Sequence, residues 1–73
     1  MYESPFTHHT ETVECATAAD AQQLARKLRR GNATDAVARK TTVYAKVSVR
    51  RDYDPESDDH VRFLRATLAR LTS

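Results

Sequence analysis

The chain has 73 residues, with 12 Lys plus Arg against 10 Asp plus Glu, a net charge of +2 and one cysteine. A single cysteine cannot close an internal disulfide, and so small a net charge argues against a strongly nucleic-acid-binding surface. Only 13 residues are Leu, Val or Phe, and none is Ile. Composition therefore predicts one small domain spanning residues 1–73, with a thin core that gains stability from a partner or a second subunit.

No targeting or membrane-spanning segment is apparent in the sequence. Residues 1–6 lack positive charge, and no apolar run has the length of a signal peptide core or a membrane span. We therefore expect a cytoplasmic protein that makes no membrane contact.

The first predicted element is a strand from Thr10 to Cys15, with its start near Phe6. Residue types alternate here at the two-residue period of a strand. Glu11 and Val13 fall on the same side as Cys15, and the intervening residues fall on the other. The apolar side is expected to face the core.

A helix is predicted after this strand. Thr17 and Asp20 have the spacing of a capping-box start, and Gly31 offers the residue type that commonly ends a helix. One stripe of the helix is apolar: Ala18, Ala21, Leu24, Ala25 and Leu28. Its last turn is basic, a sign that complements the negative end of the helix dipole: Arg26, Lys27, Arg29 and Arg30.

The segment Asn32 to Lys40 fits a strand or a short helix, and we favour the strand. From Thr41 to Arg51 the alternation is clear and predicts a second strand. Its apolar side holds Val43, Ala45, Val47 and Val49, and its polar side holds Thr42, Tyr44, Lys46, Ser48 and Arg50. A turn at Arg39 to Thr41 would join the two segments as a hairpin.

A final helix is predicted to begin at Asp54, with Pro55 at its first position, where the missing amide hydrogen costs nothing. Glu56, Asp58 and Asp59 would then lie near its positive end. Its apolar stripe is Val61, Leu64, Leu68 and Leu71, with Phe63 well off the stripe. The predicted fold is α+β in the order β-α-β-β-α, a two- or three-stranded antiparallel sheet with two helices on one face.

The residues able to carry chemistry form no recognisable catalytic set. Cys15 lies on the apolar side of a strand, which predicts a buried, inert thiol. His8 and His9 are adjacent and would point to opposite faces, so they cannot readily chelate one ion. We expect no enzymatic activity, no metal and no cofactor.

A binding function is the remaining hypothesis. The polar side of the Thr41–Arg51 strand displays an aromatic ring flanked by cations, and the first strand adds His8, Thr10, Thr12 and Glu14 beside it. The expected binding residues are Tyr44, Lys46, Arg50, Arg26, Arg29, Arg30 and Phe63. We predict a regulatory or accessory module that docks on a protein, with direct DNA or RNA binding as the alternative.

Two other expectations remain open. The polar strand face could be merely solvated, with Glu14 neutralising a strand lysine across the ladder. A homodimer could cover Tyr44, Tyr53, Phe63 or an unpaired edge strand, either by strand pairing or by packing of the last helices through Phe63, Leu64, Thr67 and Leu71.

Overall fold

The computed structural model describes residues 4–30 and 34–72. They form β1 (Phe6–Glu14), α1 (Ala18–Arg30), β2 (Asp35–Arg39), β3 (Thr42–Arg50) and α2 (Asp59–Thr72). The order β-α-β-β-α and the α+β class are therefore confirmed. The strand favoured for Asn32 to Lys40 is present over its described part, whereas Gly31, with its predicted helix-ending role, and the start of that segment lie outside the described residues.

The sheet has three strands in the order β1-β3-β2, and both outer strands run antiparallel to β3. β1 pairs with β3 from Phe6 opposite Arg50 to Glu14 opposite Thr42. β1 and β2 are thus parallel to each other with β3 inserted between them, and α1 makes the crossover.

A two-residue loop, Lys40–Thr41, closes the β2–β3 hairpin. Lys40 has a φ of 54°, in the left-handed region that tight hairpin loops use. A side chain at that φ costs on the order of 1 kcal/mol. The loop is retained because five residue pairs, from Arg39 opposite Thr42 to Asp35 opposite Lys46, close around it.

The core lies between one face of the sheet and both helices. The apolar side of β3 is buried completely, and the apolar stripes of the helices meet it. The buried apolar side chains are Ala21, Leu24, Ala25, Leu28, Ala36, Val43, Ala45, Val47, Val49, Val61, Leu64 and Leu68. The predicted stripes are confirmed apart from Ala18, which is exposed in the first turn of α1, and Leu71, which is half-buried near the end of α2.

α1 begins where the sequence predicts. The backbone N–H of Asp20 donates to Oγ1 of Thr17 over 3.1 Å. This bond satisfies one of the amides that a helix start leaves without an intrahelical acceptor.

The predicted start of α2 at Asp54 is wrong. Asp54 closes a separate turn, in which its Oδ1 accepts from the N–H of Glu56 at 3.0 Å and its carbonyl oxygen accepts from Ser57 and Asp58. The helix is capped four residues later, where Oδ1 of Asp58 accepts from the N–H of Val61 at 3.0 Å. Both aspartates suit a cap chemically, and only the packing of α2 on the sheet selects the second.

Neither helix among the described residues is long and apolar enough to span a bilayer.

Candidate binding surface

The sheet face that lies away from the helices, which we call the open face, carries the candidate site. Strand alternation places alternate residues of all three strands on it. Its members are Phe6, His8, Thr10, Thr12 and Glu14 of β1, Asp35, Val37 and Arg39 of β2, and Thr42, Tyr44, Lys46, Ser48 and Arg50 of β3. Most are exposed, whereas the alternate residues of β3 are buried.

Tyr44 occupies the middle of the open face. It stands opposite Thr12 on one side and opposite Val37 on the other. Tyr44 is 39% exposed and Val37 is 45% exposed, so an aromatic ring and an aliphatic side chain are both accessible. They line, with Thr10, Arg39 and Lys46, a shallow depression of about 430 Å³.

The charges on the open face are of both signs. Nζ of Lys46 lies 4.0 Å from Oδ2 of Asp35, an exposed pair whose contribution to stability is small. Glu14 accepts hydrogen bonds from the hydroxyls of Thr41 and Thr42, and these bonds lower the pKa of the Glu14 carboxyl. The idea that Glu14 neutralises a strand lysine is therefore wrong, since the partner of Lys46 is Asp35.

The basic end of α1 reaches the β2 border of the open face. Nη1 of Arg29 donates to the carbonyl oxygen of Ala36 over 2.9 Å. Arg26 and Arg29 line a depression of about 260 Å³ together with Val37 and Ala38. Val37 thus belongs to both depressions and links the α1 arginines to the Tyr44 region.

The residues predicted for binding are divided among several places. Tyr44 and Lys46 meet in one depression, whereas Arg50 lies at the far end of β3 in a depression shared with Phe6 and His60. Arg26 and Arg29 border the β2 edge, and Arg30 is exposed at the last residue of α1. Phe63 is 56% exposed on α2, in the helix layer. It is therefore separate from the open face.

Sequence reasoning missed two apolar members of the open face, Phe6 and Val37. Both are exposed, Phe6 at 55%. The sequence already indicates the position of Phe6, because the alternation of β1 puts it on the same face as Thr10 and Thr12. The alternation Asp35, Val37, Arg39 was obscured by the small alanines between them, which suit a helix as well as a strand.

A hydrogen-bonded group of polar side chains lies on the opposite side of β1. Nδ1 of His9 is 2.7 Å from the Tyr53 hydroxyl, and the two rings are edge-to-face with centroids 5.4 Å apart. Nε2 of His9 contacts Glu11, and Nη2 of Arg65 lies 3.5 Å from Oε2 of the same carboxylate. The hydrogen bond from His9, followed by Arg65, lowers the pKa of Glu11. Tyr53, one of the side chains considered for burial by a partner, is thus half-buried and engaged within the chain.

The remaining candidate groups are Cys15 and the two histidines of β1. Cys15 is half-buried against the core, so the prediction of a buried thiol is too strong. His8 lies on the open face and His9 on the other, as predicted from strand alternation. Within residues 4–30 and 34–72, no cluster of three or more His, Cys, Asp or Glu could hold a metal ion.

Comparisons of the chain with protein-family models, with curated proteins and with solved structures give no match. Function is therefore inferred from the geometry of the open face.

Proposed function

We propose that the chain is a small non-enzymatic regulatory or accessory module that docks on a protein partner through the open face. The observation that carries this proposal is the position of Tyr44, which is 39% exposed at the centre of a three-stranded face that no helix of the described residues covers. Tyr is among the residue types enriched at the energetic centre of protein interfaces, where neighbouring side chains exclude water around it.

The chemistry of the expected partner follows from the rest of the face. Tyr44 and Val37 offer a small apolar centre, and Arg39 and Lys46 line the same depression. Arg50 adds a further cation at the far end of β3. A partner that fits would present an apolar side chain to the centre and carboxylates to the arginines and lysine. Asp35, which lies beside Lys46, weakens the electrostatic attraction of this surface for a uniformly negative ligand.

The absence of enzymatic activity is part of the proposal. Catalysis needs groups with separate protonation tasks converging on one reacting atom. The depression at Tyr44 is lined by a threonine, a valine, a tyrosine and two permanent cations. Such a lining suits recognition, because it contains no His, Asp or Glu to act as a general base.

Single-stranded DNA or RNA is the alternative ligand. It is favoured by Arg39 and Lys46, which line the same depression as the Tyr44 ring, an arrangement on which a base can stack while phosphates meet the cations. It is disfavoured by Asp35 and Glu14 on the same face and by the net charge of +2.

The test uses affinity capture from the native host, followed by a binding measurement with the purified protein that is captured. Tyr44→Ala should weaken binding by about 30-fold, the equivalent of about 2 kcal/mol for loss of an interface centre. Phe63→Ala is the matched control, because it removes another exposed aromatic ring from the helix layer. It should leave the affinity unchanged, and circular dichroism should show both variants folded.

Equal binding by wild type and Tyr44→Ala would contradict docking through the open face. Fluorescence anisotropy with labelled single-stranded oligonucleotides tests the alternative. Tyr44-dependent binding that weakens steeply as salt is raised would overturn the protein-partner proposal in favour of nucleic acid. No oligonucleotide binding at about 50 mM salt would remove the alternative.

A further inference from the structure

The pattern of backbone hydrogen bonds in the sheet shows which backbone groups point toward its edges. The N–H of Cys15 donates to the carbonyl of Thr41 over 2.8 Å, and the N–H of Arg51 donates to the carbonyl of Pro5 over 3.0 Å. These pairs continue the β1–β3 register at both ends. Odd-numbered residues of β1 are consequently the ones that bond to β3, because such pairs alternate along an antiparallel ladder.

The even-numbered residues of β1 therefore direct their backbone groups away from β3. No other strand of the described chain lies on that side. Phe6 has a local acceptor there, since its N–H donates to Oγ of Ser4 over 3.2 Å. His8, Thr10 and Thr12 present a regular row of N–H and C=O groups along the middle of a nine-residue edge strand.

The opposite edge of the sheet is protected. By the same alternation of hydrogen bonds, the backbone N–H and C=O groups of Ala36 and Ala38 in β2 point away from β3. The carbonyl of Ala36 accepts from Arg29, and β2 is only five residues long. A short edge strand with a guanidinium on one of its outward-facing carbonyls is a poor template for pairing.

β1 is also incompletely covered on its helix side. Val43, Ala45, Val47 and Val49 of β3 are fully buried, but on β1 Val13 is half-buried and Thr7 is exposed. The helices pack mainly on β2 and β3. An additional strand beside β1 would place its side chains next to Val13 and Thr7 and reduce their exposure.

We propose that β1 pairs antiparallel with β1 of a second copy of this chain, about a twofold axis at Thr10. This register places Thr10 opposite Thr10, and His8 opposite Thr12 of the second copy. All of these residues have outward-facing backbone groups, so each opposed pair exchanges two hydrogen bonds. The result is a continuous six-stranded sheet with two open faces side by side.

The side chains of β1 complement one another in this register. On the helix side His9 stands opposite Glu11 of the second copy, and Thr7 stands opposite Val13. Both ring nitrogens of His9 already contact Tyr53 and Glu11 of their own chain, so this opposition brings unlike side chains together and needs no new hydrogen bond. On the open face Phe6 stands opposite Glu14, and no two like charges are directly opposed. A shift by two residues would instead oppose Glu11 to Glu11 in one direction and His9 to His9 in the other, and directly opposed like charges are destabilising.

Symmetric disulfide cross-linking tests the register. In a Cys15→Ser background, Thr10→Cys puts two thiols opposite each other, with Cα atoms about 5.5 Å apart, within disulfide reach. Thr12→Cys is the matched control, because the same substitution on the same face leaves the thiols about 14 Å apart along the strands. Oxidation with diamide should cross-link the first variant to a dimer and leave the second monomeric.

Sedimentation of the chain alone tests the pairing without new thiols. The wild type and Thr10→Val should sediment with twice the 8.3 kDa mass of one chain. Thr10→Pro should sediment as a folded monomer, because its lost N–H faces the free edge and not β3.

Equal cross-linking at positions 10 and 12, or a wild type that stays at 8.3 kDa at every concentration, would overturn the proposal. Neither result bears on the partner proposed for the open face, because both measurements use only this chain.

Discussion

Glu11 shows how one side chain can connect two layers of a small protein. It belongs to β1, yet it contacts His9 on its own strand and Arg65 on α2. His9 in turn contacts Tyr53 in the connection that precedes α2. The carboxylate therefore links β1 to the helix that packs beside it.

This arrangement predicts a specific dependence of stability on pH. The pKa of Glu11 in the folded protein lies below its ordinary value of 4.5. Its ionised form therefore stabilises the fold above that value, and the contribution is lost as the pH falls through the lowered pKa. Glu11→Gln should flatten the acid limb of the free energy of unfolding, measured by urea denaturation across this range.

The control for Glu11→Gln is Glu56→Gln, which removes an exposed carboxylate from the turn before α2. It should retain the steep acid limb of the wild type. Identical pH profiles for Glu11→Gln and wild type would show that the contacts with His9 and Arg65 do not stabilise the ionised form.

Residue types fix the two faces of β3 with little ambiguity, so the open-face positions of Tyr44, Lys46 and Arg50 follow from the sequence alone. The contacts of individual polar groups do not. Both flanking strands carry an acidic residue on the same face as Lys46, Glu14 on β1 and Asp35 on β2. The register puts Asp35 opposite Lys46, whereas Glu14 stands opposite Thr42. Likewise, nothing local to Arg29 indicates that it caps the carbonyl of Ala36.

Among the elements, α2 has the most informative boundary. Asp54 and Asp58 are four residues apart, and both accept backbone hydrogen bonds. The Asp54–Pro55 pair satisfies the sequence signature of a helix start, yet it forms a turn outside the helix. Local chemistry indicates a helix cap in this segment but not which aspartate begins the helix, because docking of Val61 and Leu64 decides it.

Substitution of the two aspartates should separate their roles. Asp58→Ala removes the acceptor for the N–H of Val61, a partly buried bond at the helix start, and should lower the free energy of unfolding by about 1 kcal/mol. Asp54→Ala removes an exposed turn bond and should cost less. Urea denaturation of both variants measures the difference. A larger loss of unfolding free energy for Asp54→Ala would show that Asp54, and not Asp58, is the more important cap.

For the whole molecule, the thin core determines how much substitution the fold tolerates. A chain of 73 residues has an expected stability of about 4–11 kcal/mol. Its core contains few large side chains, and Leu64 is among those that are completely buried. Leu64 therefore cannot contribute to a helix–helix dimer interface, as one of the sequence-based hypotheses required.

Leu64→Ala should lower the free energy of unfolding by about 2–5 kcal/mol, because it leaves a cavity between α2 and the sheet. This loss is a large share of the total free energy of unfolding. Leu71→Ala, at a half-buried position near the end of α2, should cost less. Similar losses at the two positions in thermal or urea denaturation would mean that the core is not centred where the structure places it.

The position of β3 between β1 and β2 also has a consequence for how the chain reaches its native state. β2 and β3 are joined by a two-residue loop and can pair locally. β1 is separated from its neighbour β3 in the sequence by α1 and β2. Pairing across long stretches of chain is slow relative to local pairing. We therefore expect β3 to have one edge unpaired early in folding, where β1 of another molecule would pair at high concentration and produce strand exchange between chains.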